Sequence, residues 1–309
     1  MQNIKVSVVI PMYYEEKVIE ECYRRLVNVM SNYDYELIFI NDGSKDNTLP
    51  MLESISLKNK RAKLISFSRN FGHQAAVTAG LRVANGDAVV IIDADLQDPP
   101  ELIPDMIEMW QSGSDVVYAK RKKRKGESIF KRVSAKLFYM VLDAFSDTSI
   151  QRDTGDFRLM DKKVVQAFNS LGEHNRFIRG MVAWLGFKQD PIEYVRDKRY
   201  AGQTKYTLKK MLNLSYNGIF SFSTTPIRFI NAFGIITLTI SLIVIIYVII
   251  SKIIGSAVAG WASMVIIVTV LLGIQQLSIG IVGEYIARIY EESKDRPIYV
   301  VDKKINFDE

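Results

Sequence analysis

The chain has 309 residues, a formal net charge of +6, one cysteine and two histidines. A single cysteine excludes an internal disulfide framework, and two histidines are too few for a histidine-based metal site. Apolar residues make up 48% of the chain and are unevenly distributed, because residues 1–226 are mixed and charged whereas 227–283 carry almost no charge.

Predicted strands and helices alternate through the first 120 residues. The strands are predicted at 5–11, 35–41, 63–67, 88–93 and 115–119, and the helices at 15–30, after 41–44, at about 74–84 and from 101. Apolar, β-branched runs separated by helical periods are typical of a mostly parallel sheet with helices on both faces. The glycines form neither a GxGxxG motif nor a P-loop, so the phosphate-binding signatures of dinucleotide and ATP sites are missing.

A carboxylate cluster follows the fourth predicted strand. Asp93, Asp95 and Asp98 come directly after the apolar run 89–92. Ligands of open α/β sheets collect where strands end, and Mg²⁺ and Mn²⁺ prefer oxygen ligands. The cluster therefore suggests a metal-bound diphosphate, although an Asp-x-Asp pair alone is weak, since a chain of this length contains about one by chance.

Positive charge is concentrated in the segment 120–136, where Glu127 is the only acid. Because the chain also has apolar spans, this segment is expected to contact anionic lipid or a phosphate group. A solvated charged loop and a nucleic-acid patch are the alternatives.

Two apolar stretches, 229–251 and 253–283, each exceed the ~20 residues that a helix needs to cross a bilayer. The alternative is a buried hairpin in a soluble core. Lys and Arg lie before and after the pair, so the positive-inside rule places both termini and the large domain in the cytoplasm. No signal peptide is predicted. The segment 205–228 suits an amphipathic stretch in the headgroup region, or a plain surface helix.

Six motifs occur in an order that resembles a known family. They are Pro-Met-Tyr-Tyr-Glu-Glu at 11–16, Asn-Asp-Gly-Ser at 41–44, Arg-Asn-Phe-Gly at 69–72, Asp-Ala-Asp-Leu-Gln at 93–97, Thr-Gly-Asp-Phe-Arg at 154–158, and Arg-x-x-Gly-Gln-x-Lys at 199–205. Together they resemble a family 2 glycosyltransferase with the GT-A fold, in the branch that acts on polyprenyl phosphates. The two late spans, followed by Gly-Glu-Tyr at 283–285 and Arg-Pro at 296–297, resemble the bactoprenol type.

The resemblance implies an inverting transfer of a single sugar from a nucleotide diphosphate sugar to undecaprenyl phosphate at the cytoplasmic face of the membrane. Glucose and a UDP-sugar are favoured. The implied fold is α/β: a Rossmann-like GT-A domain followed by two transmembrane helices. The parts are a glycosyltransferase domain at 1–204, an amphipathic juxtamembrane segment at 205–228, a transmembrane hairpin at 229–283 and a cytoplasmic tail at 284–309.

The resemblance also assigns site residues. The catalytic residues are Asp93, Asp95 and Asp156. The residues expected to bind the donor are Pro11, Tyr13, Glu15, Asp42, Arg69, Gly72, Asp93, Arg199, Gln203 and Lys205. Those expected to bind the acceptor phosphate are Arg121, Lys131 and Arg132. Mg²⁺ or Mn²⁺ is expected on Asp95 and Gln97, with Asp93 contacting the ribose or a metal-bound water.

Several roles stay open at this level. A lipid monophosphate has a second pKa of about 6 and is largely dianionic at neutral pH, so it can attack without a base. Asp156 is therefore expected to orient the acceptor or sugar rather than to deprotonate it. Asp42 has an Asx turn or helix cap as its alternative role. His73 suits a nucleotide contact or a local loop role. Arg176 and Arg179 have the same two alternatives, with membrane-proximal packing preferred for both.

Two other functions are compatible with the motifs. A processive polysaccharide synthase usually has more spans and a Gln-x-x-Arg-Trp motif, which this chain lacks. A catalytically inactive membrane adaptor would not need the carboxylates. The segment 296–301 is predicted to be a short strand that pairs with a neighbouring copy in a homo-oligomer, or packs on its own domain. No nucleic-acid partner is expected.

Overall fold

The computed structural model describes residues 4–122, 154–174, 176–195 and 260–307, with part of 230–254. The strands are β1 (Lys5–Met12), β2 (Asp34–Asn41), β3 (Ala62–Phe67), β4 (Ala88–Ile91), β5 (Val116–Arg121), β6 (Thr154–Asp161), β7 (Gln189–Tyr194) and β8 (Val301–Ile305). The helices are α1 (Ile19–Met30), α2 (Thr48–Lys58), α3 (His73–Val83), α4 (Ile103–Gln111), α5 (Lys162–Asn169), α6 (Ile178–Trp184) and α7 (Trp261–Ser293), with a 3-10 turn at Pro100–Leu102.

The eight described strands form one sheet in the order β7-β5-β6-β4-β1-β2-β3-β8. Every neighbouring pair is parallel except those that involve β6 and β8, which run antiparallel to their neighbours. The prediction of an α/β fold with a mostly parallel sheet is therefore confirmed.

Helices cover both faces of the sheet. Along β1, Val8 and Ile10 join a core with α1, α2 and α4, while Val9 between them joins a second core with α3, α5 and α6. This alternation follows from the two-residue period of a strand, and burial on both faces explains why β1 is apolar almost throughout. Helix α3 comes especially close to the sheet at Gly80, where a Cβ would lie 2.2 Å from Cγ1 of Val9.

The last strand packs on its own domain. β8 pairs antiparallel with β3, and Tyr299 just before it stacks on Phe67 with ring centroids 4.9 Å apart. Asn306, after the strand, donates through Nδ2 to the carbonyl oxygens of Ser56 (2.6 Å) and Ala62 (2.9 Å). The strand thus lies at 301–305 rather than at the predicted 296–301, and it packs on its own domain, which is one of the two arrangements expected for it.

Helix α7 leaves the sheet as a long, exposed element. In the described part of the chain, one helix, Val270–Ser293, is long and apolar enough to cross a membrane, and it is not buried against the domain. The described positions between 230 and 253 are also helical, but two transmembrane helices are not confirmed. Near the end of α7, a carboxylate oxygen of Glu292 lies 2.6 Å from Nδ1 of His174, which joins the helix to the loop between α5 and α6.

Candidate active site

The carboxylates of the candidate site come from β2, β4 and β6, at one edge of the sheet. Asp42 follows β2, Asp93 lies just beyond β4, and Asp156 lies near the start of the antiparallel strand β6. The β4–β6 register pairs Ile91 with Arg158, so Asp93 and Asp156 lie level with each other two residues further on. This is the edge formed by the carboxyl ends of the parallel strands, where α/β folds bind ligands.

Asp156 is the centre of a charged cluster. Its carboxylate is 4% exposed, accepts a 2.6 Å bond from Nε of Arg179 and lies 2.9 Å from Nε2 of His73. Nε2 of His73 is also 3.8 Å from Asp93. Carboxylates from two strands, an imidazole and a guanidinium therefore meet at one point.

The electrostatics of the cluster favour an ionised Asp156. Burial opposes its charge, but Arg179 and His73 outweigh burial and hold the pKa of Asp156 well below its usual range. Burial likewise opposes the imidazolium of His73, but Asp156 and Asp93 outweigh it and raise the pKa of His73 to about 9. Burial, with the neighbouring carboxylates, raises the pKa of Asp93 to about 6. A general base works best with a pKa near the operating pH, so a paired Asp156 is better suited to orientation.

Arg179 was missed as a site residue, because Arg-Phe-Ile-Arg-Gly gives no sign of which arginine faces the sheet. Arg179 lies in the first turn of α6 and pairs with Asp156, whereas Arg176 donates to the carbonyl oxygens of Leu171 (2.5 Å) and Glu173 (3.0 Å). Arg179 therefore belongs to the charged cluster around Asp156, while membrane-proximal packing stays a prediction for both arginines.

The loop after β4 presents the expected metal ligands. Asp95 accepts a 3.1 Å bond from the backbone N–H of Gln97, and Leu96 between them has a φ of 56°, a left-handed conformation that is unfavourable for leucine. Backbone strain of this kind concentrates at functional sites. The described residues contain no group of three or more carboxylate, histidine or cysteine side chains that could enclose a metal ion.

The donor set nevertheless fits Mg²⁺ or Mn²⁺. Asp93, Asp95 and Gln97 supply hard oxygen donors from one short loop. Mg²⁺ is commonly bound through one or two carboxylates, with substrate phosphates and water completing the shell. Such a site needs no enclosing cage of protein ligands.

Arg121, one of the expected acceptor-binding residues, ends β5 beside this loop. Its Nε donates to the hydroxyl of Tyr194 (3.2 Å), and its NH2 nitrogen lies 4.0 Å from Oδ1 of Asp98. Tyr194, the last residue of β7, donates its hydroxyl proton to the same Asp98 oxygen. Burial, together with the charge of Asp98, raises the pKa of Tyr194 to about 12, so the tyrosine stays a donor.

The expected donor-binding residues near β1 and β2 lie at the same edge. The Asp42 carboxylate is buried and accepts from the backbone N–H groups of Phe71 (2.7 Å) and Gly72 (3.0 Å) and from Nδ2 of Asn70 (2.8 Å). Asp42 thus holds the 69–72 loop, and its expected hydrogen bonds to the base or ribose stay a prediction. The guanidinium of Arg69 stacks 4.0 Å from the ring centroid of Phe71.

The segment after β1 is held against β2 and α2. The backbone N–H of Tyr14 donates to Ser44 Oγ (3.0 Å) and that of Glu15 to Thr48 Oγ1 (2.9 Å), while the rings of Tyr13 and Tyr14 meet edge to face at 4.4 Å. Tyr14 has a φ of 54°, a conformation that suits asparagine better than tyrosine.

The structure therefore brings together most of the expected site. The predicted site residues that lie at one edge of the sheet are Pro11, Tyr13, Glu15, Asp42, Arg69, Gly72, Asp93, Asp95, Gln97, Arg121 and Asp156. The predicted site residues that lie outside the described part of the chain are Lys131, Arg132, Arg199, Gln203 and Lys205.

Comparison with known proteins gives consistent matches. The chain is 51% identical over 305 residues to an uncharacterized glycosyltransferase, YkcC, of Bacillus subtilis, covering 98% of this chain and 94% of that protein. It is 41% identical over 303 residues to a prophage bactoprenol glucosyl transferase homolog of Escherichia coli, covering 97% and 99%. It is 42% identical over 301 residues to the bactoprenol glucosyl transferase of Shigella phage SfV, covering 96% and 98%. The family described as Glycosyl transferase family 2 matches residues 7–168. With the described motifs gathered at the carboxyl edge of a mostly parallel sheet, the chain belongs to glycosyl transferase family 2.

Proposed function

We propose that this protein transfers a single glucose from UDP-glucose to undecaprenyl phosphate, with inversion at the anomeric carbon, at the cytoplasmic face of the membrane. The observation that carries the proposal is the position of Arg121 beside the loop with Asp93, Asp95 and Gln97. Arg121 can bind the acceptor phosphate, and the oxygen atoms of the loop can bind the metal of the donor diphosphate. The two substrates would therefore meet between them. The bactoprenol glucosyl transferases that align along almost the whole chain support the same acceptor class.

Each side of the reaction has its own residues. Asp95 and Gln97 would hold Mg²⁺ or Mn²⁺, with Asp93 beside them, and the metal would supply positive charge that offsets the charge developing on the leaving diphosphate. Arg121 receives the acceptor phosphate together with Lys131 and Arg132. Because this phosphate is already largely dianionic, no side chain has to remove a proton from it.

Asp156 keeps the cluster in place instead of acting as a base. Its ion pair with Arg179 and its contact with His73 fix the carboxylate at the centre of the site. From this position it orients the sugar or the incoming phosphate. The tyrosines and Glu15 after β1 border the nucleoside, and the 69–72 loop, held by Asp42, adds the Arg69 guanidinium on the donor side.

The membrane supplies the acceptor. α7 exposes large apolar side chains such as Met264 and Leu277, both 67% exposed, and an unpartnered apolar surface of this size suits a lipid environment. We propose that 229–251 forms a first span before it, with the catalytic domain and both termini in the cytoplasm. The contact between Glu292 and His174 joins α7 to the catalytic domain and supports a position of that domain near the membrane surface.

A transfer assay tests the proposal. Detergent-solubilised protein is incubated with undecaprenyl phosphate, Mg²⁺ or Mn²⁺, and a panel of nucleotide sugars, and nucleoside diphosphate release is measured together with the lipid product. We expect release that requires both the metal and the lipid phosphate, with one sugar per lipid. A polymer product would favour a processive synthase, and donor binding that is indifferent to metal would favour an inactive adaptor.

Replacing one ligand sharpens the test. Asp95→Ala should lower the transfer rate by about 100-fold or more, because a metal contributes several kcal/mol to the stabilisation of the leaving group. Asp105→Ala, which removes an exposed carboxylate from α4, should leave the rate unchanged. Full activity in Asp95→Ala would refute the metal site.

A further inference from the structure

Asp98 is a buried carboxylate that none of the expected roles uses. It is 1% exposed and directly follows the proposed ligand Gln97. Gly155 of β6 faces the same point, since a Cβ there would lie 3.6 Å from Oδ2 of Asp98 and 3.0 Å from an Arg121 nitrogen. A buried carboxylate is costly unless it is paired, so its partners show what it does.

The partners form a chain of contacts from Asp98 to Arg121. Tyr194 donates to Asp98, and the tyrosine oxygen in turn accepts from Nε of Arg121 at 3.2 Å. The direct approach of Arg121 to Asp98 is longer, at 4.0 Å, so the guanidinium is held through its Nε edge and not in a close two-point salt bridge with Asp98. The Arg121 side chain remains 32% exposed.

This arrangement suits a guanidinium that must receive a second anion. An arginine has five N–H groups in a rigid fork, and its strongest contacts with phosphate are bidentate. Fixing the Nε edge orients the plane of the fork while the exposed part of the side chain faces the edge of the sheet. The β5–β7 register pairs Arg121 directly with Tyr194, so the strand positions set this geometry.

We propose that Asp98 and Tyr194 are positioning residues for the acceptor: they hold the Arg121 guanidinium in the orientation that binds the phosphate of the polyprenyl lipid. This inference rests on the proposed function, in which Arg121 contacts that phosphate. The loop after β4 then serves both substrates, with Asp95 and Gln97 on the donor side and Asp98 on the acceptor side.

A purely electrostatic role for Asp98 predicts the opposite sign. If Asp98 only reduced the positive charge near Arg121, its removal would strengthen binding of the dianionic lipid phosphate. If it positions Arg121, its removal weakens that binding although the local charge becomes more positive. The direction of change in the KM for lipid phosphate therefore separates the two roles.

The experiment uses the full chain with undecaprenyl phosphate and the nucleotide sugar that it transfers. Tyr194→Phe keeps the ring, which meets Phe157 edge to face at 6.5 Å, and removes only the bridging hydroxyl. We expect it and Asp98→Asn each to raise the KM for lipid phosphate about tenfold, the effect of losing one hydrogen bond to a charged group, with the KM for donor within about twofold of wild type.

Ser114→Ala is the matched control. Ser114 Oγ donates to Asp190 (2.7 Å), so this is also a hydroxyl–carboxylate hydrogen bond of β7, and it joins the β5 and β7 regions at the far end of those strands. This variant should leave both KM values unchanged. In an Arg121→Ala background, Tyr194→Phe should have no further effect on the KM for lipid phosphate, because coupled residues are not additive.

The outcomes separate the inference from the proposed function. An unchanged or lower KM for lipid phosphate in Tyr194→Phe, or a full tenfold effect in the Arg121→Ala background, overturns the positioning role. If Arg121→Ala itself leaves that KM unchanged, the acceptor assignment in the proposed function fails. A rise in Arg121→Ala without a rise in Tyr194→Phe rejects the positioning role alone.

Discussion

Gly43 connects the end of β2 to the donor side of the site, and its replacement by alanine has a calculable effect. Gly43 has a φ of +67°, and a Cβ added there would lie 2.3 Å from the carbonyl carbon of Arg69, 2.6 Å from the backbone nitrogen of Asn70 and 2.8 Å from Cα of Arg69. These are backbone atoms, so no side-chain rotation relieves the clash. Ordinary contact begins at 3.4 Å, and the 69–72 loop must therefore move by about 1.1 Å.

A displacement of this size should be visible in catalysis. A misplacement of about 1 Å can lower a rate by about 100-fold, and the left-handed conformation of the alanine adds about 1–2 kcal/mol of strain. We expect Gly43→Ala to lower kcat/KM for the nucleotide sugar by about 100-fold at saturating lipid phosphate. Initial rates of nucleoside diphosphate release, measured over a range of donor concentrations, give this value.

Gly186→Ala separates strain from displacement. Gly186 has a similar φ of +74° but nothing within 4 Å of the added Cβ. It should lose stability by a similar strain energy while kcat/KM for the donor stays close to wild type. The reasoning is refuted if folded Gly43→Ala retains a kcat/KM within about threefold of wild type, or if Gly186→Ala loses as much activity.

Three further predictions concern stability and reactivity. Gly80→Ala should destabilise the protein by about 1–3 kcal/mol through the clash with Val9, despite its better helix propensity, and a lower urea midpoint in tryptophan fluorescence would show it. Asn306→Ala should cost about 1–3 kcal/mol in the same assay, because the carbonyl oxygens of Ser56 in α2 and Ala62 in β3 lose the Nδ2 donor and the alanine takes a φ of 63°. An unchanged midpoint would argue against the role of Asn306 as an anchor. Burial raises the pKa of the Cys22 thiol to about 12, so the thiolate fraction at pH 8 is very small. Iodoacetamide should therefore alkylate Cys22 only after denaturation, and rapid labelling of the native protein would contradict this.

The parallel part of the fold could be predicted because its strands are buried on both faces. Such strands appear in the sequence as apolar runs, and the rule that ligands lie at strand ends correctly placed the Asp93 loop. The position of β6 could not be predicted in this way. Its register with β4 sets Asp156 beside Asp93, but this pairing joins residues more than sixty positions apart and leaves no local pattern.

Contacts between side chains were the least predictable part of the site. Arg179, Tyr194 and Asp98 act through partners distant in sequence, and each residue by itself also fits a surface or core position. The tail shows a related limit. Its apolar residue Tyr299 resembled part of a strand, but the ring stacks on Phe67. The actual strand contains two lysines, and its three central residues are exposed.

The pairing of β8 with β3 has a consequence for the order in which the molecule is made. β3 leaves the ribosome early, but its outer neighbour is translated only after α7. At roughly 5–20 residues per second, the roughly 230 residues between Phe67 and Val301 take about 10–50 s to synthesise. During that interval β3 is an open edge strand, and open edges pair with other chains. A chain cut short before β8 would keep this edge permanently, so β8 also protects the completed chain from aggregation through β3.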